Sequence, residues 1–395
     1  MRAYFKMEFF QFMSNKKNIA IYVILLFLSC YYALKIAPEY DPIEKVDVLE
    51  IEARYLTREE FLDNVVIREG MHYLTAFAVS IFPEWNEYDK ARLDAIEKNN
   101  LEEYAEATSK WYTYSDKFTF ESEVLYYNPG YYTYGNSYAV MDGHYAYLSS
   151  ASRYEDYTEG KSDLSVNVFE ERTALQTLQR LLHSYLPLIL LVSCILFTVD
   201  IVLKDRQNPT LLQGLPLSDW RKLIVKGGVS LLGSILAIIP LLVGLLIIGS
   251  QYGFGHFNLP VPNYSFSEDL FSTITMGEYL IQNLLFIVVW FFFIISLLLL
   301  VSVMLKNEFA NLLVGCVFLF AEFIYFSRGI GIEWNAQWYP TSYVQVGQII
   351  SGYRNYLYVS DALSLRSGLV VMGLCTCVFL FLIFLMSNHR KFKLL

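Results

Sequence analysis

Apolar residues along this chain are gathered into a few long runs separated by polar stretches of very unequal length. Runs able to cross a bilayer need roughly 18 or more residues with few charges. Six are read here, at 18–38, 184–203, 229–249, 280–305, 309–327 and 368–387. The pattern predicts an all-α membrane protein with six transmembrane helices and both termini on one side. The first run follows a 17-residue polar and aromatic leader and has no small-residue cleavage site after it, so it reads as a span and not as a signal peptide. The leader itself, "MRAYFKMEFFQFMSNKK" (1–17), predicts an amphipathic interfacial helix. Phe5, Phe9, Phe12 and Met13 share one face, and Lys6 and Lys17 can reach past it to headgroups.

The stretch 39–183 has a different texture and predicts a mainly helical domain between spans one and two. Thr57 and Glu60 stand at capping-box spacing ahead of an apolar periodic segment, which predicts a helix start. "YDKARLDAIEKNNLEEYAEATSKWY" predicts a second helix with acid and base pairs on its wet face. From Tyr126 to Tyr147, tyrosines alternate with Asn-Pro-Gly, Gly-Asn and Asp-Gly turn signals, predicting short extended pieces or an irregular aromatic platform. A last helix, Val168 to Leu182, is expected to run straight into span two.

Composition agrees with a membrane protein: 55% of residues are hydrophobic, 17% are charged, and the mean hydropathy is +0.35. Lys and Arg of the short flanks fall at 2–17, 204–226, 306 and 390–393, so that side is cytoplasmic by the positive-inside rule. The loop from Ser250 to Tyr279 has no Lys or Arg, whereas Arg328, Arg354 and Arg366 in the outer segment 328–367 run against the rule. The net charge of -9 hides an asymmetry: residues 39–183 hold 28 Asp or Glu against 13 Lys or Arg. A basic nucleic-acid footprint is absent, and a solvated extracytoplasmic domain is expected.

Candidate chemistry is sparse. All five cysteines lie in apolar runs, so the outside domain is expected to fold without disulfides. Cys375 and Cys377 project about 200° apart on a helix, a poor metal geometry, and the five histidines show no ligand-like spacing. Gly160-Lys161-Ser162 echoes a phosphate loop, but Glu155 stands where a glycine is needed and no strand precedes it. No catalytic, cofactor or metal residue is predicted. Two acids near or in spans carry meaning because charge in hydrocarbon is costly. Asp200 is within reach of Lys204, and Glu322 either pairs with Arg328 or lines a path; both are candidate translocation-path or gate positions. Tyr131, Tyr132 and Tyr134 form either a cargo-contacting surface or part of the domain's own core.

The polar segment 204–228 interrupts the apolar texture. Pro209 and Pro216 punctuate it, Ser218 is a capable N-cap, and Trp220, Leu223 and Ile224 fall on one side with Arg221 and Lys222 on another. It reads as a short surface-lying helix that docks on a partner or rests on anionic lipid. Asp205, Thr210, the Pro216-Leu217-Ser218 turn and a lysine at 222 or 226 resemble the signature of ABC type 2 exporter permeases, with Pro209 where that family carries glycine. "VMLKNEFANLLVG" (303–315) is similar to the family's tight inner turn, and "WYPTSYVQVGQIISGYRNY" (338–356) to its short re-entrant outer helices.

The resemblance is to the subset with a large domain between spans one and two, mainly from Gram-positive bacteria, and implies a type V-like exporter fold in the bacterial plasma membrane. It implies that Thr210, Leu215, Pro216, Leu217, Ser218, Trp220, Arg221 and Lys222 couple to a separate cytoplasmic ATPase. Two copies of that ATPase would hold ATP and Mg, this chain binding no cofactor. A second permease subunit, identical or paralogous, would complete the path, in contact with membrane lipid and no nucleic acid. The implied cargo is amphipathic: a peptide, a bacteriocin-like toxin or a lipid. Alternatives are a membrane sensor or resistance protein for an extracellular peptide, a secondary transporter, and a mechanical exporter with four spans per half.

Overall fold

The computed structural model describes residues 1–122, 124–159, 163–204 and 217–387. The coupling candidates Thr210, Leu215 and Pro216, and the stretch 160–162, lie outside the described residues. The chain divides into two compact units, one of Met1–Glu39, Thr177–Phe254 and Tyr279–Leu395, the other of Tyr40–Gln176 and Gly255–Glu278.

The first unit opens with α1 (Arg2–Met13), which buries Tyr4, Glu8 and Phe12, a stripe with one residue every four. Phe5 and Phe9 are half-buried and Met13 is exposed, so the inward stripe is not the all-apolar face expected. Asn15 accepts the Lys17 amide at 3.1 Å and so caps α2 (Lys16–Tyr31), which continues as a wider π turn to Ile36.

The second unit is a bundle of antiparallel helices. α3 (Val48–Asn64) is capped by Asp47, which accepts the Glu50 amide at 3.0 Å. The cap therefore lies ten residues before the expected one, and Thr57 is interior, its hydroxyl donating to the Ala53 carbonyl. The stretch 88–112, expected as one helix, is divided between α4 (Tyr73–Glu97) and α5 (Leu101–Glu121). Asn99 instead takes a left-handed φ of 53° and Asn100 caps α5 by accepting the Glu103 amide, so the pair ends one helix and starts the next.

Two 3-10 turns, Pro129–Tyr131 and Asn136–Tyr138, follow, and α6 (Ala139–Glu159) runs through the expected Asp-Gly turn. Gly143 is needed there for packing: a Cβ would stand 2.1 Å from Cγ of Tyr127. The core joins Trp85, Tyr104, Trp111 and Tyr154, and Trp85 Nε1 donates to Ser115 Oγ at 2.6 Å. α7 (Val166–Phe169) and α8 (Ala174–His183) replace the expected single helix, with Glu171 at φ 53° between them.

A hairpin completes this unit, β1 (Pro260–Ser265) pairing antiparallel with β2 (Leu270–Thr275) from Pro260↔Thr275 to Ser265↔Leu270. Tyr264 and Phe271 pack on Tyr145 of α6 at 5.4 and 4.9 Å between ring centres. The hairpin is the departure from an all-helical reading, and the loop containing it belongs to the polar unit's own core.

Back in the first unit, α9 (Leu186–Thr198) does not continue the preceding helix; the two are bent by 67°. Pro187, in the first turn of α9, has no amide to donate and would crowd the carbonyl four residues back in a continuous helix, which favours a break there. α10 (Asp219–Leu236) and α11 (Ile238–Tyr252) form the next apolar helix. Ser29 of α2 donates to the Leu241 carbonyl at 3.0 Å and accepts the Gly244 amide at 3.1 Å, an approach that a Cβ on Gly244 would block.

α12 (Met276–Leu305) is the centre of the unit: Phe286, Trp290, Phe291 and Phe293 are fully buried, and Trp290 Nε1 donates to the Tyr343 carbonyl at 2.9 Å. Asn307 caps α13 (Glu308–Phe320) by accepting the Phe309 amide at 2.8 Å. Buried Asn311 donates to the Val199 carbonyl at 3.0 Å, satisfying an acceptor freed where α9 stops. The single turn α14 (Glu322–Tyr325), the short helices α15 (Val346–Ile350) and α16 (Tyr353–Tyr358), and α17 (Leu365–Ser387) complete it.

Four helices are long and apolar enough to cross a membrane: Lys16–Ile36, Asp219–Tyr252, Met276–Leu305 and Leu365–Ser387. The bent pair ending in α9 makes a fifth if taken as one span, and α13 is apolar but has 13 residues. The chain is thus a mostly helical membrane protein.

Candidate functional site

The described part of the polar segment 204–228 is the beginning of α10, an 18-residue helix, not a short helix lying apart. Its first turn carries Asp219, an acid well placed at a helix N-terminus, while Ser218 occupies the N-cap position without its hydroxyl making a capping bond. Leu217 packs on Tyr4 and Val225, which ties the segment to α1. Trp220 sets its ring edge-on to Phe384 of α17, 5.5 Å between centres. Lys222 is buried and reaches Asp219 at 3.4 Å, and Leu223 is buried beside it. The grouping expected from sequence is therefore corrected: α10 continues into the unit, so Lys222, Leu223 and Lys226 turn inward, and Arg221 and Ile224 face out.

Next to this helix start is a knot of buried charge that the sequence reading missed. Lys226, 1% exposed, lies 3.0 Å from each carboxylate oxygen of Glu8, 5% exposed, and donates to the Ile201 carbonyl at 2.9 Å. The available signal was Glu8 itself, an acid midway between Tyr4 and Phe12 on one stripe of the leader. Asp200 pairs with Lys204 at 2.9 Å, as its i,i+4 spacing suggests, and also with Lys17 at 2.6 Å from the start of α2. A cavity of about 40 Å³ lies among Glu8, Asn18, Asp200 and Lys226. Asn18 donates to the Phe12 carbonyl at 2.9 Å. With two lysines on it, Asp200 joins the start of α2 to the chain just after α9 and is not an open acid.

Glu322 is likewise occupied. Arg354 of α16 forks onto it, 3.1 Å to Oε1 and 3.2 Å to Oε2, and Tyr358 donates to Oε1 at 2.8 Å. The partner is Arg354, not the expected Arg328, whose guanidinium goes to the ring and hydroxyl of Tyr356. A bidentate guanidinium satisfies both carboxylate oxygens and fixes orientation. This ties α14 to α16 and gives both carboxylate oxygens of Glu322 a partner within the protein.

In the second unit the three candidate tyrosines part ways. Tyr131 donates to Glu44 at 3.3 Å, Tyr132 donates to the Tyr127 carbonyl at 2.7 Å, and Tyr134 is exposed, its ring near Tyr138. Glu44 also meets Ser150 and Arg153, and Arg153 bridges to Glu171. Burial raises the Glu44 carboxyl above its ordinary range, with the Arg153 guanidinium opposing that shift. Burial, then the Glu44 charge, raise the Tyr131 phenol. Nearby, Asp116 accepts from Tyr127 at 2.7 Å and contacts His144 Nδ1 at 2.8 Å.

Deeper in the bundle Asp89, fully buried, takes Arg58 at 2.8 Å, Arg92 at 3.1 Å and Arg54 at 3.5 Å, with Arg58 over Trp85 and Arg92 over Trp111. Among the described residues no group of three or more His, Cys, Asp or Glu gathers as a metal site. No protein-family model, curated protein or solved structure matches the chain.

Proposed function

We propose that this chain is the permease subunit of an ATP-driven exporter in a bacterial plasma membrane, moving an amphipathic cargo outward. In this reading α2, the bent pair ending in α9, α10–α11, α12, α13–α14 and α17 are six spans with both termini cytoplasmic, and the polar unit is extracytoplasmic. The short α9 and α13 fit because protein at their ends, such as Asn311 on the Val199 carbonyl, satisfies backbone that lipid would not.

One observation carries the proposal: at the start of α10, Arg221 and Ile224 face out while Leu217 is held by α1 and Trp220 by α17. A partner that pushes on those outward residues moves the leader and the last span together. Closure of a cytoplasmic ATPase dimer, holding ATP and Mg, is the push; rigid-body rocking of two permease copies or paralogues is the response. The ion pairs of Asp200 and Glu322 act as joints that keep each half rigid, not as cargo contacts.

A sensor of extracellular peptide is the second reading, favoured by the self-contained core of the polar unit. Vesicle transport measured with ATP, without ATP and with an ion gradient alone separates them. Uptake into inverted vesicles only with ATP supports the exporter, a gradient requirement replaces it with a secondary transporter, and no transport in any arm leaves the sensor.

A further inference from the structure

Helices of the polar unit pair antiparallel, Phe61 on Phe82, Phe77 on Phe118 and Phe120 on His144, with ring centres 5.4, 6.4 and 4.2 Å apart. The end of α3, the start of α4, the end of α5 and the start of α6 therefore lie at one end of the bundle. Residues 40 and 176, where the chain enters and leaves this unit, follow or precede the opposite ends of α3 and α6.

The far end is unusually apolar for a solvated surface. Val66 is 74% exposed, Ile67 71%, Tyr73 67% and Tyr126 82%, and Phe120 and Met141 are also exposed. Single exposed apolar residues are ordinary, but a group from four helix ends marks an interaction surface. Around it stand exposed Glu60, Asp63, Glu69 and Glu121 against Arg68 and Lys117.

We infer that this bundle end is a docking surface for a cationic amphipathic peptide. Its apolar face would cover the exposed rings and aliphatic side chains, and its Lys or Arg would meet the acidic rim. The rim's excess of acids, within a domain that is itself strongly acidic, selects a basic occupant over an acidic one. The inference deepens the exporter reading by naming a peptide class, and it rests on that reading only for the exterior location of this unit.

The test is fluorescence anisotropy of a labelled Leu/Lys amphipathic helix on the full chain in phosphatidylcholine nanodiscs, without ATPase or ATP and against protein-free nanodiscs. Replacing Val66, Ile67 and Tyr126 together by Ser is expected to weaken binding by roughly tenfold or more, because apolar anchors dominate such interfaces. Leu49→Ser, exposed at the other bundle end, is expected to leave it unchanged. Glu60→Lys with Asp63→Lys is expected to weaken the Leu/Lys peptide and to favour a Leu/Glu peptide. Equal binding by the triple Ser variant, equal binding of the Leu/Glu peptide to wild type, or self-association through this end by sedimentation overturns the proposal. Loss of ATP-driven transport with peptide binding intact counts against the exporter reading alone.

Discussion

The ammonium of Lys226 sits 3.0 Å from both carboxylate oxygens of Glu8, 218 positions away in sequence, with both side chains buried. It joins α1 to α10. Removing one partner of a buried pair strands the other charge, so Glu8→Leu alone or Lys226→Met alone is expected to destabilise the protein by about 3–5 kcal/mol. Glu8→Leu with Lys226→Met, which leaves no orphan charge, is expected to cost less than either single change. Denaturant unfolding of the four proteins in one detergent checks this, and additive effects would deny the coupling.

Gly143 faces the Tyr127 ring so closely that a Cβ would stand 2.1 Å from Cγ. Gly143→Ala must push that ring away and with it the Tyr127 bond to Asp116. The expected cost is about 1–3 kcal/mol, the range for overpacking a filled site. A parallel rise in proteolysis between α5 and α6 locates the damage; an unchanged melting temperature would show that the loop adapts freely.

Glu44 gives a pH dependence of definite sign. Burial holds its folded-state pKa above the unfolded value, so the folded protein binds the proton more tightly. This contribution is fully present below the unfolded pKa and is lost as pH rises through the higher folded one. Stability of the polar unit should therefore show a falling component above the ordinary glutamate range, and Glu44→Gln, which cannot ionise, should remove it. Melting temperatures across that window, compared between the two proteins, measure it.

What was legible in the sequence was what periodicity and local turn chemistry encode. The long apolar helices follow from runs, helical character over α3 to α5 follows from spacing though their bounds do not, and the Asn-Pro-Gly turn is where its residues put it. Some joins turn on local chemistry, as where Asn99 ends α4 and Asn100 caps α5, and others on longer-range contacts. The Asp-Gly at 142–143 stays helical because Tyr127 packs over the glycine, and the hairpin at 260–275 exists because its aromatics meet Tyr145. The bend before α9 is encoded locally by Pro187. Of the site residues, Asp200 showed its local partner Lys204, whereas Lys17, Arg354 and Glu8 are contributed by distant segments that no local spacing reveals.

Sidedness is open to direct labelling. Ile67→Cys is at an exposed position of the polar unit, and Arg221→Cys is at an exposed position of α10. In a background with the native cysteines replaced, the first is expected to react with an impermeant maleimide in intact cells. The second should react only after permeabilisation. The reverse pattern would invert the proposed orientation.

The last prediction concerns the outward corner of α10, where folding and coupling can be pulled apart. Trp220 is partly spent on Phe384, so Trp220→Ala is expected to lower stability through the lost aromatic pair, about 0.5–1.5 kcal/mol beyond the area buried. Ile224 and Arg221 are exposed, so changing them should leave the fold intact. If an ATPase docks here, Ile224→Ser is expected to weaken association by about 1–2 kcal/mol, as removal of an apolar anchor does. Arg221→Gln should cost less, and its cost should shrink as salt is raised, because a rim charge is screened. Co-purification with the ATPase at two salt concentrations, alongside melting temperatures, separates the three variants. Full association and full ATP-driven transport by the Ile224→Ser, Arg221→Gln double variant would mean that the corner rests on lipid headgroups and that the ATPase pushes elsewhere.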